Sequence, residues 1–204
     1  FRPAPLRFGA RSLDSGLRSG IKDLGWSEPR SIQSGVIPLA LQGGDVIACA
    51  ETGTGKTAAF LVPILQRFLT EPVPQPLRTR ALVLAPTREL AVQIEDQVQG
   101  LTYHTTISSI AVYGGVPMDA QERALKANVD IVVATPGRLE DLIGQSHVRL
   151  DAVAITVLDE ADHMADLGFL PVVTRIMDKT PQGGQRMLFS ATLDNGVDKL
   201  VKRY

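Results

Sequence analysis

Two short stretches of this chain combine residue types and spacing suited to phosphate chemistry. The first is Ala50-Glu51-Thr52-Gly53-Thr54-Gly55-Lys56-Thr57, set between the apolar run at 45–49 and the helix-like Ala58-Ala59-Phe60-Leu61. A strand, a glycine-rich turn and a helix start form a cradle whose backbone N–H groups face phosphate. Lys56 reaches the outer phosphates, and the Thr57 hydroxyl suits a magnesium ion. The full pattern opens on glycine, so Ala50 makes this its relaxed form, with the Gly55-Lys56-Thr57 end intact. A glycine-rich turn beside a chance lysine is the plainer alternative, and the flanking strand and helix weigh against it. A dinucleotide fingerprint is set aside, because Ala58 follows Thr57 and no acidic residue ends a second strand about twenty residues on.

The second stretch is Asp159-Glu160, directly after the apolar run Val153-Ala154-Ile155-Thr156-Val157-Leu158. Hydrolysis of a bound triphosphate needs a carboxylate for the metal and a group to orient water. A buried strand ending in paired acids offers Asp159 for the first role and Glu160, beside the γ-phosphate, for the second. Two acids after a strand are, taken alone, more often a solvated strand end; the phosphate loop reverses that preference.

These residues need a scaffold, and the hydrophobic pattern describes one. Apolar, β-rich runs recur at 45–50, 81–85, 107–112, 130–134, 153–158 and 187–190, with helical patterns between most of them. Continuous apolar strands are buried on both faces, as in a parallel sheet covered by helices on either side. The predicted fold is α/β, a three-layer α/β/α domain with a mostly parallel central sheet. Loop residues follow the strand ends at Pro86-Thr87, Gly114-Gly115, Thr135-Pro136-Gly137 and Ser190-Ala191-Thr192. The carboxyl ends of such strands form the ligand crevice. The proline-rich segment 70–80 reads as a surface loop. A lead of helical patterns at 12–24 and 31–42 precedes the first strand and packs onto the sheet as an addition.

Composition narrows the partners. At 204 residues the chain suits one domain with a sizeable core, and the formal net charge of −1 excludes a wholly basic surface. Any nucleic-acid contact must come from a local face. The single cysteine, Cys49, lies in an apolar run, which excludes a disulfide framework, favours a reducing cytoplasmic setting and suggests a small buried core residue. No apolar stretch approaches the roughly eighteen residues of a membrane span, and the N-terminus does not resemble a signal peptide. The chain begins without methionine and reads as a piece of a longer protein. The histidines His104, His147 and His163 lack ligand spacing and read as surface residues.

Asp159-Glu160-Ala161-Asp162 spells DEAD, and there the chain resembles the DEAD-box RNA helicases, specifically their N-terminal RecA-like domain and a bacterial-type member. Further elements follow in family order: a Q-motif-like Gly25-Trp26-Ser27-Glu28-Pro29-Arg30-Ser31-Ile32-Gln33 with Phe8 upstream, the phosphate loop, Pro86-Thr87-Arg88-Glu89-Leu90, Gly114-Gly115, Thr135-Pro136-Gly137-Arg138, DEAD itself and Ser190-Ala191-Thr192. They span nearly the whole chain.

The resemblance implies that 1–204 is one ATP-binding domain with 1–42 as its Q-motif extension, and that ATP and Mg2+ are the cofactors. Gln33 is implied to read the adenine edge and Phe8 to stack on the base. Arg30 stands where the family has an alcohol side chain, which affects the local contact near the adenine. Pro86, Thr87, Arg88, Gly114, Gly115, Thr135, Pro136, Gly137 and Arg138 are implied to meet the RNA backbone, without a sequence code. Turn chemistry and helix capping explain the same residues more plainly, and both can hold together. Asp162, Ser190, Ala191 and Thr192 are implied to link the ATP site to the RNA loops through the Asp162, Ser190 and Thr192 side chains; without the family, 190–192 reads as a helix cap. A second RecA-like domain with arginine fingers is absent from this chain. Two other classes compete: a module that uses nucleotide only as a structural ligand, and another P-loop enzyme such as a DNA translocase or a small-molecule kinase.

Overall fold

The computed structural model describes residues 7–8, 12–194 and 196–204. Six strands form one sheet in the order β1-β6-β5-β2-β4-β3. They are β1 (Val46–Cys49), β2 (Ala81–Leu84), β3 (Ser109–Val112), β4 (Ile131–Ala134), β5 (Ile155–Leu158) and β6 (Gln185–Ser190). Every pairing is parallel, so the sheet is parallel throughout.

Strand alternation explains the layers. In β2, Ala81 and Val83 join a core formed with α1 (Ser15–Asp23), α2 (Ser31–Leu41), α3 (Lys56–Thr70) and α4 (Arg88–Thr102). Leu82 and Leu84 face the opposite core, which includes residues from α5 (Asp119–Lys126), α6 (Pro136–Gly144), α7 (Ala161–Asp166), α8 (Leu170–Met177) and α9 (Val197–Arg203). This is the expected three-layer α/β/α arrangement.

The N-terminal lead docks chiefly onto helices: α1 onto α4, and α2 onto α3 and the start of β1. Asp14 caps α1 by accepting from the Gly16 and Leu17 N–H groups. Glycines let α1 approach α4 closely, since a Cβ on Gly20 would lie 2.4 Å from the Leu101 carbonyl oxygen. On the other side, the Gln185 side chain donates to the Ala40 and Gly44 carbonyls, tying the end of α2 to β6.

Two expectations need correction. Cys49 is exposed, not buried. β1 is an edge strand whose burial alternates: Val46 and Ala48 face the core, while Ile47 is 52% exposed. The continuous apolar run therefore overstated its burial. The segment 70–80 is a surface loop only in part, because Thr70 ends α3 and Thr79 and Arg80 are buried. Arg80 pairs with buried Asp130 at 2.7 Å and its guanidinium lies over the Phe68 ring. Asp130 also accepts from the Ser108 N–H and hydroxyl, so this ion pair is well hydrogen-bonded.

Candidate nucleotide site and the loops joined to it

At the carboxyl end of β1 the Ala50 N–H donates to the Ser190 carbonyl, which fixes the start of the phosphate loop against β6. Gly53 and Gly55 adopt left-handed backbone, with φ of 80° and 85°. Gly55 has a second reason to be glycine, because a Cβ there would lie 2.6 Å from the Gln33 Nε2 atom. Gly55 is also the N-cap of α3 and supplies no side chain to the first-turn N–H groups. Those donors, at the positive end of the helix, suit an anion.

Lys56 opens α3 and is only 5% exposed. Its Nζ lies 3.1 Å from Asp159 Oδ1 and 3.4 Å from Glu160 Oε1. Asp159 follows β5, held by its N–H to the Leu84 carbonyl, and is completely buried. Burial raises its carboxyl from the usual 3.8 to about 6, with Lys56 opposing the rise. Lys56 is its ion-pair partner at 3.1 Å, and beyond that contact neither Asp159 oxygen has a hydrogen-bond partner among the described residues. Such an orphaned carboxylate fits a divalent cation.

Glu160 has left-handed backbone at φ 50°, ψ 54°, an uncommon conformation for a residue with a side chain. Its carboxylate also meets His163 Nδ1 at 3.4 Å. His163 is thus beside the site, though sequence spacing assigned it no chemistry. His104 and His147 instead pair with Asp23 and Glu122 elsewhere on the surface.

The Q-motif residues reach the phosphate loop from α2. The Gln33 Oε1 atom accepts from the Arg30 N–H at 2.8 Å, and its Nε2 donates to the Gly55 carbonyl at 3.0 Å. An amide side chain has two donors and two acceptor sites, so half of this capacity is engaged in the free chain. Arg30 donates from its guanidinium to the Gly53 carbonyl at 2.7 Å. The departure from the family's alcohol therefore produces a direct tie to the phosphate loop.

Phe8 is buried and lies 6.3 Å, ring to ring, from Trp26. Both rings line a cavity of about 520 Å3 that also reaches Gln33, Thr52, Lys56 and Thr57. Leu90, Gln93 and Gln97 of α4 line it too; Leu90 ends a motif named from the sequence without a role at this cavity, and Gln93 and Gln97 lay outside every motif. Their three- and four-residue spacing on one helix face was the available signal.

The loops expected to meet nucleic acid lie on the same sheet edge. Arg88 is exposed and its guanidinium lies over the Tyr113 ring at 5.0 Å, beside Gly115. The Thr87 hydroxyl caps α4 by accepting from the Leu90 N–H, and Pro86 is buried. Gly114, Gly115 and Gly137 are exposed, Thr135 and Arg138 partly so, and Pro136 is buried at the start of α6. Arg138 spends two guanidinium donors on the Val116 carbonyl and the Gln121 side chain.

The link through 190–192 differs from the expectation. Ser190 Oγ accepts from the Asp162 backbone N–H and donates to the Thr192 carbonyl, so the described contacts use main-chain groups where the Asp162 and Thr192 side chains were anticipated. The segment is not a helix cap either, since Gly196 caps α9. Ser190 nevertheless joins the phosphate loop to the acidic helix, with its carbonyl on Ala50 and its hydroxyl at Asp162.

Among the described residues, no helix is long and apolar enough to cross a membrane. Curated proteins resemble this chain in sequence, and a solved structure shares its architecture. The chain is 44% identical over 204 residues to the ATP-dependent RNA helicase RhlB of Pseudomonas syringae, covering 97% of this chain and 51% of that protein. It is 44% identical over 191 residues to the probable ATP-dependent RNA helicase ddx27 of Dictyostelium discoideum, covering 93% of this chain and 24% of the relative. The chain thus spans about half or less of these curated relatives. A crystal structure of a DEAD box protein from the hyperthermophile Methanococcus jannaschii superposes with a TM-score of 0.87 at 35% identity, covering 97% of this chain and 53% of that one. A family profile described as DEAD/DEAH box helicase matches residues 30–200, and with the phosphate loop and buried acids described above, this chain belongs to the DEAD/DEAH box helicase family.

Proposed function

We propose that residues 1–204 form the ATP-binding domain of a cytoplasmic ATP-dependent RNA helicase, with 1–42 as its Q-motif extension. In the whole protein this domain works with a second RecA-like domain, coupling ATP binding and hydrolysis to RNA binding and local duplex unwinding. One observation carries the reading: a phosphate-loop lysine, Lys56, lies between the two acids Asp159 and Glu160. A module needing nucleotide only for structure has no use for a candidate base beside that lysine.

Each group has a part in this scheme. Phe8 and Gln33 bind the adenine, the former by stacking and the latter by its remaining amide capacity. Thr52, Gly53, Thr54 and Gly55 offer backbone N–H groups to the phosphates. Lys56 turns from the acids toward the incoming phosphates, which leaves Glu160 to accept a proton from the attacking water. Thr57 and Asp159 would hold Mg2+, and the orphaned Asp159 oxygens favour that assignment. The ion, when bound, supplies charge neutralisation at the phosphates. RNA is held through its backbone by Pro86, Thr87, Arg88, Gly114, Gly115, Thr135, Pro136, Gly137 and Arg138. Asp162, Ser190, Ala191 and Thr192 couple the two sites.

The second domain supplies arginine fingers, typically worth on the order of 10³–10⁵ in rate. The 204-residue chain alone therefore binds adenine nucleotide weakly, with little hydrolysis and no unwinding. The test is RNA-stimulated phosphate release by the whole protein and its Glu160→Gln variant. The variant should retain ATP and lose turnover. Unchanged turnover in the variant, or robust RNA-stimulated turnover by the 204 residues alone, would overturn the proposal. Equal stimulation by DNA would point instead to a translocase.

A further inference from the structure

A buried amide outside every motif braces the loops that carry the RNA contacts. Gln121, on α5, is 6% exposed. Its Nε2 donates to the Tyr113 carbonyl at 3.0 Å, and its Oε1 accepts from Arg138 Nη1 at 3.4 Å. Arg138 donates in turn to the Val116 carbonyl at 3.0 Å, on the far side of Gly114-Gly115. Tyr113, held by its carbonyl, carries the Arg88 guanidinium over its ring. One side chain thereby connects the loops that follow β2, β3 and β4.

The chemistry selects glutamine. The position needs a donor for a carbonyl and an acceptor for a guanidinium at once, and a neutral amide has both. Glutamate would turn a second acceptor toward the Tyr113 carbonyl, and leucine would take a hydrogen bond from each of two part-buried polar partners. The engagement of Arg138 also gives that arginine a role inside the loop cluster.

We propose that Gln121 is a positioning residue for RNA binding, holding Arg88 and the Gly114-Gly115 turn in register as one backbone-binding surface. This rests on the RNA reading given above. Gln121 itself does not touch the ligand. It acts through Tyr113 and Arg138, and the phosphate loop on the other side of the site is independent of it.

The test titrates an oligouridine single strand into the 204-residue chain and follows backbone amide shifts by NMR, with an ATP analogue titrated separately. Gln121→Leu should shift the free amides of 113–116, leave those of 50–57 in place, and weaken RNA binding about tenfold with analogue affinity unchanged. Combined with Arg88→Ala, it should add less than about twofold, because both changes disable one surface. Tyr113→Leu leaves the buried amide in place and should produce the same selective loss, which covers the case in which Gln121→Leu does not fold. If Arg88→Ala weakens RNA binding while Gln121→Leu, or its Tyr113→Leu substitute, does not, the inference fails and the RNA reading stands. Additive losses also defeat it. If oligouridine binds but Arg88→Ala has no effect, or if no RNA binds, the assignment of these loops to RNA fails as well.

Discussion

Lys56 Nζ sits 3.1 Å from Asp159 Oδ1, with both side chains almost wholly withdrawn from water. The pair is poised rather than satisfied, because the carboxylate still lacks hydrogen-bond donors among the described residues. Its charge is kept at a cost to the free domain, and that cost has a defined pH signature.

Asp159→Asn should stabilise the ligand-free chain at pH 7. Burial raises the folded-state carboxyl from 3.8 to about 6, so between those values the folded state holds a proton that the unfolded state has released. Wild-type stability therefore falls as pH rises through that window, by about 3 kcal/mol for this group. Thermal melts should show the variant ahead at pH 7 and the difference gone below about pH 3, where both states are protonated. An equal gain at both pH values would refute the assignment.

The opposite end of the sheet should respond differently. Arg80 and Asp130 form a buried ion pair with both carboxylate oxygens occupied. Asp130→Ala strands the guanidinium and should cost about 3–5 kcal/mol in urea denaturation. Nucleotide affinity of the folded fraction should not change, since the pair lies where β2 and β4 begin, away from the phosphate loop.

Gly20→Ala probes the docking of the N-terminal extension. The added methyl would meet the Leu101 carbonyl at 2.4 Å, a backbone group that cannot simply swing away. Overpacking of this kind should destabilise by about 1–3 kcal/mol, despite alanine's better helix propensity. A stabilised variant, measured by denaturant midpoint at constant slope, would contradict the close packing of α1 on α4.

Arg30→Ala should loosen the phosphate loop without unfolding the domain. It removes the hydrogen bond to the Gly53 carbonyl while leaving the Gln33 contact to Gly55. Hydrogen exchange at residues 52–55 should accelerate by about threefold, the effect of a single hydrogen bond at an exposed site. Exchange in α4 should remain as it was.

What could be read from sequence depended on how local the cause was. All six strands were legible because each carries an apolar stretch, although β6 begins two residues before its own, at Gln185 and Arg186, and the phosphate loop because its glycines, lysine and threonine are neighbours. Asp159 and Glu160 could be placed because a strand end and a motif coincide. The Arg80–Asp130 pair was hidden by a separation of fifty residues, and the apolar context gave no hint of a buried ion pair. Burial of Cys49 was misjudged because an edge strand and a central strand share composition. The backbone route through Ser190 was equally out of view, since a hydrogen bond to a main-chain N–H leaves no trace in residue type.

The edge position of β1 gives the chain a built-in reporter. Cys49 is its only thiol, stands exposed, and is followed directly by Ala50, whose N–H anchors the phosphate loop to Ser190. A small fluorophore coupled there would label one defined site without prior mutagenesis. Its emission would respond to changes at the carboxyl end of β1 as nucleotide is added, in real time and in the otherwise unaltered sequence.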